Sequence, residues 1–186
     1  MNLGLDFGNV ISKEKGLSIS NDPDFMNREF VEDAVQSIAA LVPLFNDVYI
    51  VSKCSEASET LIPQWLKQNL FFEKTKIKPE NIRFCRERHE KAPICKDLGV
   101  THFIDDRVEV LAHMKSVRIR IALNAQDIDS YDHGLDLRPD GSAYILESEI
   151  KNPGYSYSII LLPTWQNIMD NWRRINREYV WPPREF

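Results

Sequence analysis

Leu3-Gly4-Leu5-Asp6-Phe7-Gly8-Asn9-Val10-Ile11 opens the chain with a short apolar run that ends in an acid and a glycine-bearing turn. The run predicts a strand over residues 3–7. A carboxylate at the C-terminal end of a buried strand sits where open α/β sheets bind their ligands. Burying it is costly unless a cation or hydrogen-bond donors meet it. Fold and function both turn on whether the chain repeats this strand pattern and supplies that cation.

The pattern repeats. Residues 25–42 carry Phe30, Val31, Ala34, Ile38, Leu41 and Val42 at helical spacing, with Asp24 as N-cap and Pro43 as stop. A second strand follows at 48–52, then a helix over 56–70 with an irregularity expected at Pro63. Residues 82–85 predict a third strand, 93–98 a helix turning at Gly99, and 101–105 a fourth strand. Residues 107–115 read as helix and 117–123 as the fifth strand. Strands alternating with helices at this spacing predict βαβ units and a mostly parallel sheet, a Rossmann-like three-layer α/β sandwich.

Beyond Leu123 the rhythm breaks. Asp-His-Gly, Pro-Asp-Gly and Asn-Pro-Gly are turn signals, and the β-prone segment 142–146 between them predicts a hairpin-like excursion over 124–157. The alternation resumes with a strand at 158–162 and a helix over 164–175. The tail around Trp181-Pro182-Pro183 follows. The expected organisation is one domain over 1–186, with a core at 1–123, the excursion, and a closing strand, helix and tail.

At 186 residues the chain is long enough for one sizeable core. Its net charge of −5 argues against a broadly basic nucleic-acid-binding face without excluding a local one. No apolar stretch reaches the length of a membrane span, and the N-terminus lacks the basic and apolar regions of a signal peptide. Cys54, Cys85 and Cys95 form no C-x-x-C pair, which fits reduced packing thiols and a cytoplasmic protein.

Four sites fall at or just after strand ends: Asp6, Ser52, Lys91 and the Asp105-Asp106 pair. Singly, each has an ordinary structural use as a turn residue, helix cap or surface charge. Together, and in this order, they resemble the four motifs of the haloacid dehalogenase-like hydrolase superfamily. The stretch from Lys91 to Arg107 is especially similar to it, and the resemblance covers roughly the first 123 residues.

That resemblance implies a Mg²⁺-dependent phosphohydrolase. Asp6 would be the nucleophile, passing through an aspartyl-phosphate. Mg²⁺ would be held by Asp6, the main-chain carbonyl of Gly8, and the Asp105-Asp106 pair, with Asp106 as the direct ligand and Asp105 behind it. Ser52 would bind a phosphate oxygen, and Lys91 would neutralise the phosphoryl group and keep Asp6 ionised. Phosphatases of the superfamily usually carry a second Asp two positions after the nucleophile as general acid and base. Here that position is Gly8, although members resembling the D-x-G-N-V form act as phosphatases. The alternative is a weak or inactive relative that binds a phosphorylated ligand or a protein partner. His89 is a candidate substitute proton carrier.

The stretches from Asp6 to Ser52 and from Ser52 to Lys91 leave no room for a large cap domain. The site is therefore expected to be open, or covered by a flap at 12–22, by the excursion, or by a second copy in a homo-oligomer. The expected substrate is a phosphorylated molecule such as a nucleotide or a nucleic-acid end. Arg83, Arg86, Arg88 and Arg107 are candidate anion contacts, with salt links to Glu87, Glu90 and Asp97 as the plainer use of Arg86 and Arg88.

Overall fold

The computed structural model describes residues 1–14, 16, 21–125, 127, 135–137, 143–146 and 158–178. The described strands are β1 (Asn2–Leu5), β2 (Asp47–Lys53), β3 (Ile82–Cys85), β4 (Val100–Asp105), β5 (Ile119–Leu123), β6 (Leu135–Leu137), β7 (Ala143–Leu146) and β8 (Ser158–Leu162). They form one sheet in the order β3-β2-β1-β4-β5-β8-β7-β6. From β3 to β8 the neighbours run parallel, and β7 and β6 extend the sheet antiparallel. The helices are α1 (Ala34–Leu41), α2 (Ser58–Gln68), α3 (Phe71–Thr75), α4 (Lys91–Asp97), α5 (Val108–His113) and α6 (Trp165–Glu178).

The strand alternation sorts the core into two layers. Leu3, Leu5, Ile50, Ile104, Ile121 and Ile160 face Ile38 of α1, Trp65 of α2, Phe71 of α3 and Ile168 of α6. Val51, Phe103, Ala122 and Ile159 face the opposite way, against Cys95 of α4 and Leu111 of α5. Successive side chains of a strand point to opposite faces, so a sheet covered on both sides needs apolar residues at nearly every position. Each large aliphatic side chain buried this way contributes about 1.5–3 kcal/mol relative to exposure.

The expected α/β architecture is present, and two elements differ from expectation. The helix predicted over 25–42 is a single 3-10 turn at Phe25–Asn27 followed, after a break, by α1. Helical periodicity there loses to pairing with the chain after β1. Lys13 N–H donates to Glu29 O at 3.0 Å and Val31 N–H to Ile11 O at 2.9 Å, with Phe30 bridging Ser12. Asp33, at φ 59°, then turns the chain into α1, and the Asp24 side chain makes no cap hydrogen bond. Second, Pro63 lies inside α2 without interrupting it.

The hairpin expected in the excursion is present as β6–β7. Most of the remaining residues of 124–157, the flap positions 15 and 17–20, and the tail 179–186 lie outside the described residues. Among the described residues, the β1–β2 connection holds one α-helix and the β2–β3 connection two short ones, with no large cap. No described helix is long and apolar enough to cross a membrane.

Candidate active site

The parallel register brings the predicted residues together. Leu5 pairs with both Ile50 and Ile104, so β1, β2 and β4 end side by side. Asp6 extends the ladder by one bond, its N–H donating to Ile104 O at 2.9 Å, which sets it beside Asp105 at the end of β4. Ser52 stands near the end of β2 and is buried, and Lys91 is the first residue of α4.

Lys91 is 2 % exposed, and its ammonium bridges two acids, at 2.7 Å from Asp6 Oδ1 and 2.8 Å from Asp105 Oδ2. The other Asp105 oxygen accepts the Arg107 N–H at 3.0 Å, so Asp105 is occupied on both sides. Asp106 Oδ2 accepts the Asn9 side-chain amide at 3.0 Å. Carboxylate oxygens of Asp6, Asp105 and Asp106 lie within 4.8 Å of one another. Three buried acids against one buried ammonium leave a surplus of negative charge, and an all-oxygen donor set of this kind suits a hard divalent cation.

The electrostatics follow from that crowding. Burial pushes the Asp6 carboxyl up to about 6, with Lys91 pulling down and Asp105 pushing up. Burial also raises Asp105, against the pull of Lys91, and raises Asp106, where Asp6 adds to the effect. For Lys91 burial pulls downward, but Asp105 and Asp6 outweigh it and hold the ammonium above its usual range.

All six predicted positions (Asp6, Gly8, Ser52, Lys91, Asp105 and Asp106) line one cleft of about 190 Å³. That is below the ~300–1,000 Å³ of sites that enclose drug-sized ligands, and its size and polarity suit a phosphoryl group with the rest of a substrate outside. Arg88 and Arg107 also line it, whereas Arg83 donates to Glu80 O and Arg86 pairs with Glu59 at 2.6 Å. Arg88 pairs with Glu109 at 3.7 Å rather than with the acids expected from sequence. His89 is exposed and outside the cleft. Cys54, Cys85 and Cys95 are free and buried, and burial raises each thiol, to about 11, 11 and 12.

Four further residues shape the site. Asn9, at φ 52°, takes the left-handed conformation that Asn tolerates better than most residues, and its side chain joins Asp106 to the Glu14 N–H, each at 3.0 Å. Glu14 and Lys53 line the cleft. Partial burial against the cleft wall, and then the charge of Asp6, raise the Glu14 carboxyl, while Arg28 and Arg107 oppose. Behind the turn, the buried indole N–H of Trp165 donates to Val10 O at 2.8 Å, anchoring α6 to the Asp6 loop. The Asn after Gly8 was a visible turn signal. Nothing in the spacing of Glu14 marked it.

No protein-family model matches the sequence, and no curated protein matches it. Solved structures do match. The arrangement of strands and helices is the haloacid dehalogenase-like fold, a three-layer α/β architecture with six parallel strands. One such structure is a D,D-heptose 1,7-bisphosphate phosphatase from B. bronchiseptica complexed with magnesium and phosphate. It superposes with a TM-score of 0.61 at 11% identity, over 94% of this chain and 99% of that one. Another, from Vibrio cholerae and provisionally assigned as a 3-deoxy-D-manno-octulosonate 8-phosphate phosphatase, reaches a TM-score of 0.39 at 15% identity over 66% of this chain and 65% of its own. A likeness that slight carries no weight.

Proposed function

We propose that this chain is a Mg²⁺-dependent phosphohydrolase that cleaves phosphomonoesters through an aspartyl-phosphate on Asp6. The observation that carries this reading is the cluster of Asp6, Asp105 and Asp106, the first two bridged by the Lys91 ammonium, at the carboxyl edge of the sheet. The magnesium and phosphate in the heptose bisphosphate phosphatase of the same fold support it.

Asp6 Oδ attacks phosphorus, and the P–O bond to the leaving group breaks. Lys91 holds Asp6 ionised and balances charge on the phosphoryl oxygens, while the Ser52 hydroxyl and a neighbouring backbone N–H hold one of those oxygens in line. Mg²⁺, when bound by Asp6, the Gly8 carbonyl and Asp106, would neutralise the phosphoryl group, with Asp105 holding Lys91 behind it. Phosphoryl transfer depends mainly on positioning and charge stabilisation, and these residues supply both. The small cleft favours substrates whose bulk stays outside, such as a nucleotide or a nucleic-acid end. The reduced cysteines favour a cytoplasmic setting.

The experiment is phosphate release from p-nitrophenyl phosphate and a panel of alkyl phosphomonoesters with Mg²⁺, comparing the protein with Asp6→Asn. The expected result is turnover that chelation abolishes and that Asp6→Asn loses by roughly 10⁴-fold or more. Equal turnover by both forms would remove Asp6 as nucleophile. Gly8 favours a second reading, a protein that binds phosphorylated ligands without cleaving them, which predicts ligand-dependent stabilisation with no turnover at all.

A further inference from the structure

Breaking a phosphomonoester of an alcohol requires a proton at the departing oxygen, because an alkoxide is a poor leaving group. Among the described residues, the acids lining the cleft are Asp6, Glu14, Asp105 and Asp106. Asp6 is spent as nucleophile. Asp105 is held by Lys91 and the Arg107 N–H, and Asp106 by the Asn9 amide. For Glu14, by contrast, no hydrogen bond or ion pair among the described residues engages the carboxylate; only its backbone N–H is held, by Asn9 Oδ1.

The position of that carboxylate is specific. A Cβ built on Gly8 would overlap Glu14 Oε1, and it would stand 2.8 Å from Glu14 Cδ and 3.4 Å from Cγ. The Glu14 carboxyl therefore fills the volume a side chain at residue 8 would take, two residues from Asp6 and on the wall of the same cleft. Gly8 is not among the residues with positive φ, so its backbone conformation would accept a side chain. The Glu14 position is built rather than incidental. Asn9 links its N–H to Asp106, and the Lys13 N–H bond to Glu29 O pins the preceding residue. Glu14 is also exposed on its outer side, which lets it exchange protons with water between turnovers.

We propose that Glu14, reaching over Gly8, is the group that gives the leaving alcohol its proton and then takes one from the attacking water. This rests on the phosphohydrolase reading. In the first step the P–O bond to the leaving group breaks as Asp6 Oδ bonds phosphorus, and the bridging oxygen keeps the electron pair and takes the Glu14 proton. In the second, water oxygen bonds phosphorus while Glu14 accepts the water proton. The P–O bond to Asp6 breaks, its electron pair returns to the carboxylate, and inorganic phosphate leaves with Glu14 protonated again.

The test compares two leaving groups with Mg²⁺ present: p-nitrophenolate, which departs without a proton, and the alkoxide of glycerol 2-phosphate, which does not. Glu14→Gln is expected to lower kcat on glycerol 2-phosphate by about 10²-fold or more, and the rate of the pre-steady-state burst of p-nitrophenolate, which reads the first step alone, by under about 5-fold. The retained burst shows that the variant is folded. Its Mg²⁺-induced rise in Tm should match that of the unsubstituted protein, since Glu14 holds no metal. The double change Gly8→Asp with Glu14→Ala should recover most of the alkyl activity that Glu14→Ala loses, because it returns a carboxyl to the same volume.

Equal losses in the alkyl turnover and in the aryl burst rate, an altered Mg²⁺ response, no loss at all, or no rescue by the double change would each overturn the Glu14 assignment while leaving the phosphohydrolase reading intact. So would turnover confined to the aryl ester. Absence of any Asp6-dependent turnover overturns the phosphohydrolase reading, and the Glu14 role with it.

Discussion

At the carboxyl ends of β1 and β4, two of three clustered acids share one buried ammonium, while Asp22 and Arg28 form an ion pair at 2.7 Å with both side chains almost fully buried. Three residues before Asp105 on the same strand, His102 is buried as well. It packs edge-on against Phe45 with ring centroids 4.9 Å apart, and its Nε2–H donates to Asn176 Oδ1 at 3.1 Å. Burial drives the His102 ring down to about 4, so it stays neutral. Arg28 thus faces an acid and His102 is uncharged. In the cleft three buried acids meet one buried ammonium, and such a surplus is costly to keep in a low-dielectric site unless something is meant to bind there.

Removing the cation from the cleft should have the largest effect on stability. Lys91→Met leaves Asp6 and Asp105 facing each other unbridged. Phosphate release is expected to fall by roughly 10²–10³-fold, and stability without Mg²⁺ by about 3–5 kcal/mol in urea titration. Part of the stability should return when Mg²⁺ is added, since a ligand that binds only the folded state stabilises it.

Arg28→Met breaks the Asp22–Arg28 pair instead. It should destabilise by up to ~3–5 kcal/mol because the buried ion pair is lost. Mg²⁺ should restore none of the loss beyond what it adds to the unsubstituted protein. A Mg²⁺ rescue of Arg28→Met equal to that of Lys91→Met would erase the distinction between the two clusters.

The neutral His102 predicts a smaller effect, read against pH. The unfolded chain takes up a proton near 6.5 that the buried ring refuses until about 4. The unfolded state therefore binds more protons in this window. His102 contributes stability that is complete above 6.5 and is lost as pH falls through 4, on the order of 2–3 kcal/mol. Urea midpoints for the protein and for His102→Phe should converge in pH dependence over this window only if the ring is not the source.

Smallest, and opposite in sign, is Asp6→Asn. Without metal at neutral pH it should raise stability by about 1–2 kcal/mol, because it removes a carboxylate whose ionisation the folded state resists. The same change should shrink the Mg²⁺-induced rise in Tm. A loss of stability without metal would mean that Lys91 more than compensates the three acids.

Most of the residues that the fold gathers in the candidate cleft were legible in the sequence. Asp6, Ser52, Lys91, Asp105 and Asp106 follow apolar runs or precede a helix, and parallel strands that end together must bring their terminal residues together. The break in the helix expected over 25–42 was not legible, because Phe30 and Val31 fit a helical face as well as they fit a strand pairing. Only the bonds to Ile11 and Lys13 decide between the two. The placing of Arg86 was hidden for a similar reason: its partner Glu59 lies on another element.

The sequence by itself determined the alternation of strands and helices and the identity of the charged strand ends, since both follow from local hydrophobic periodicity. Through its resemblance to the superfamily's first motif, it also singled out Gly8 as the position where a second Asp would be expected. Only the tertiary structure decided what occupies that place. Asn9 turns the chain back in the left-handed region, residues 11–13 pair with 29–31, and the fold carries Glu14 over Gly8 to the edge of the cleft. No periodicity encodes that arrangement, because it depends on where two segments meet in space rather than on how either is patterned.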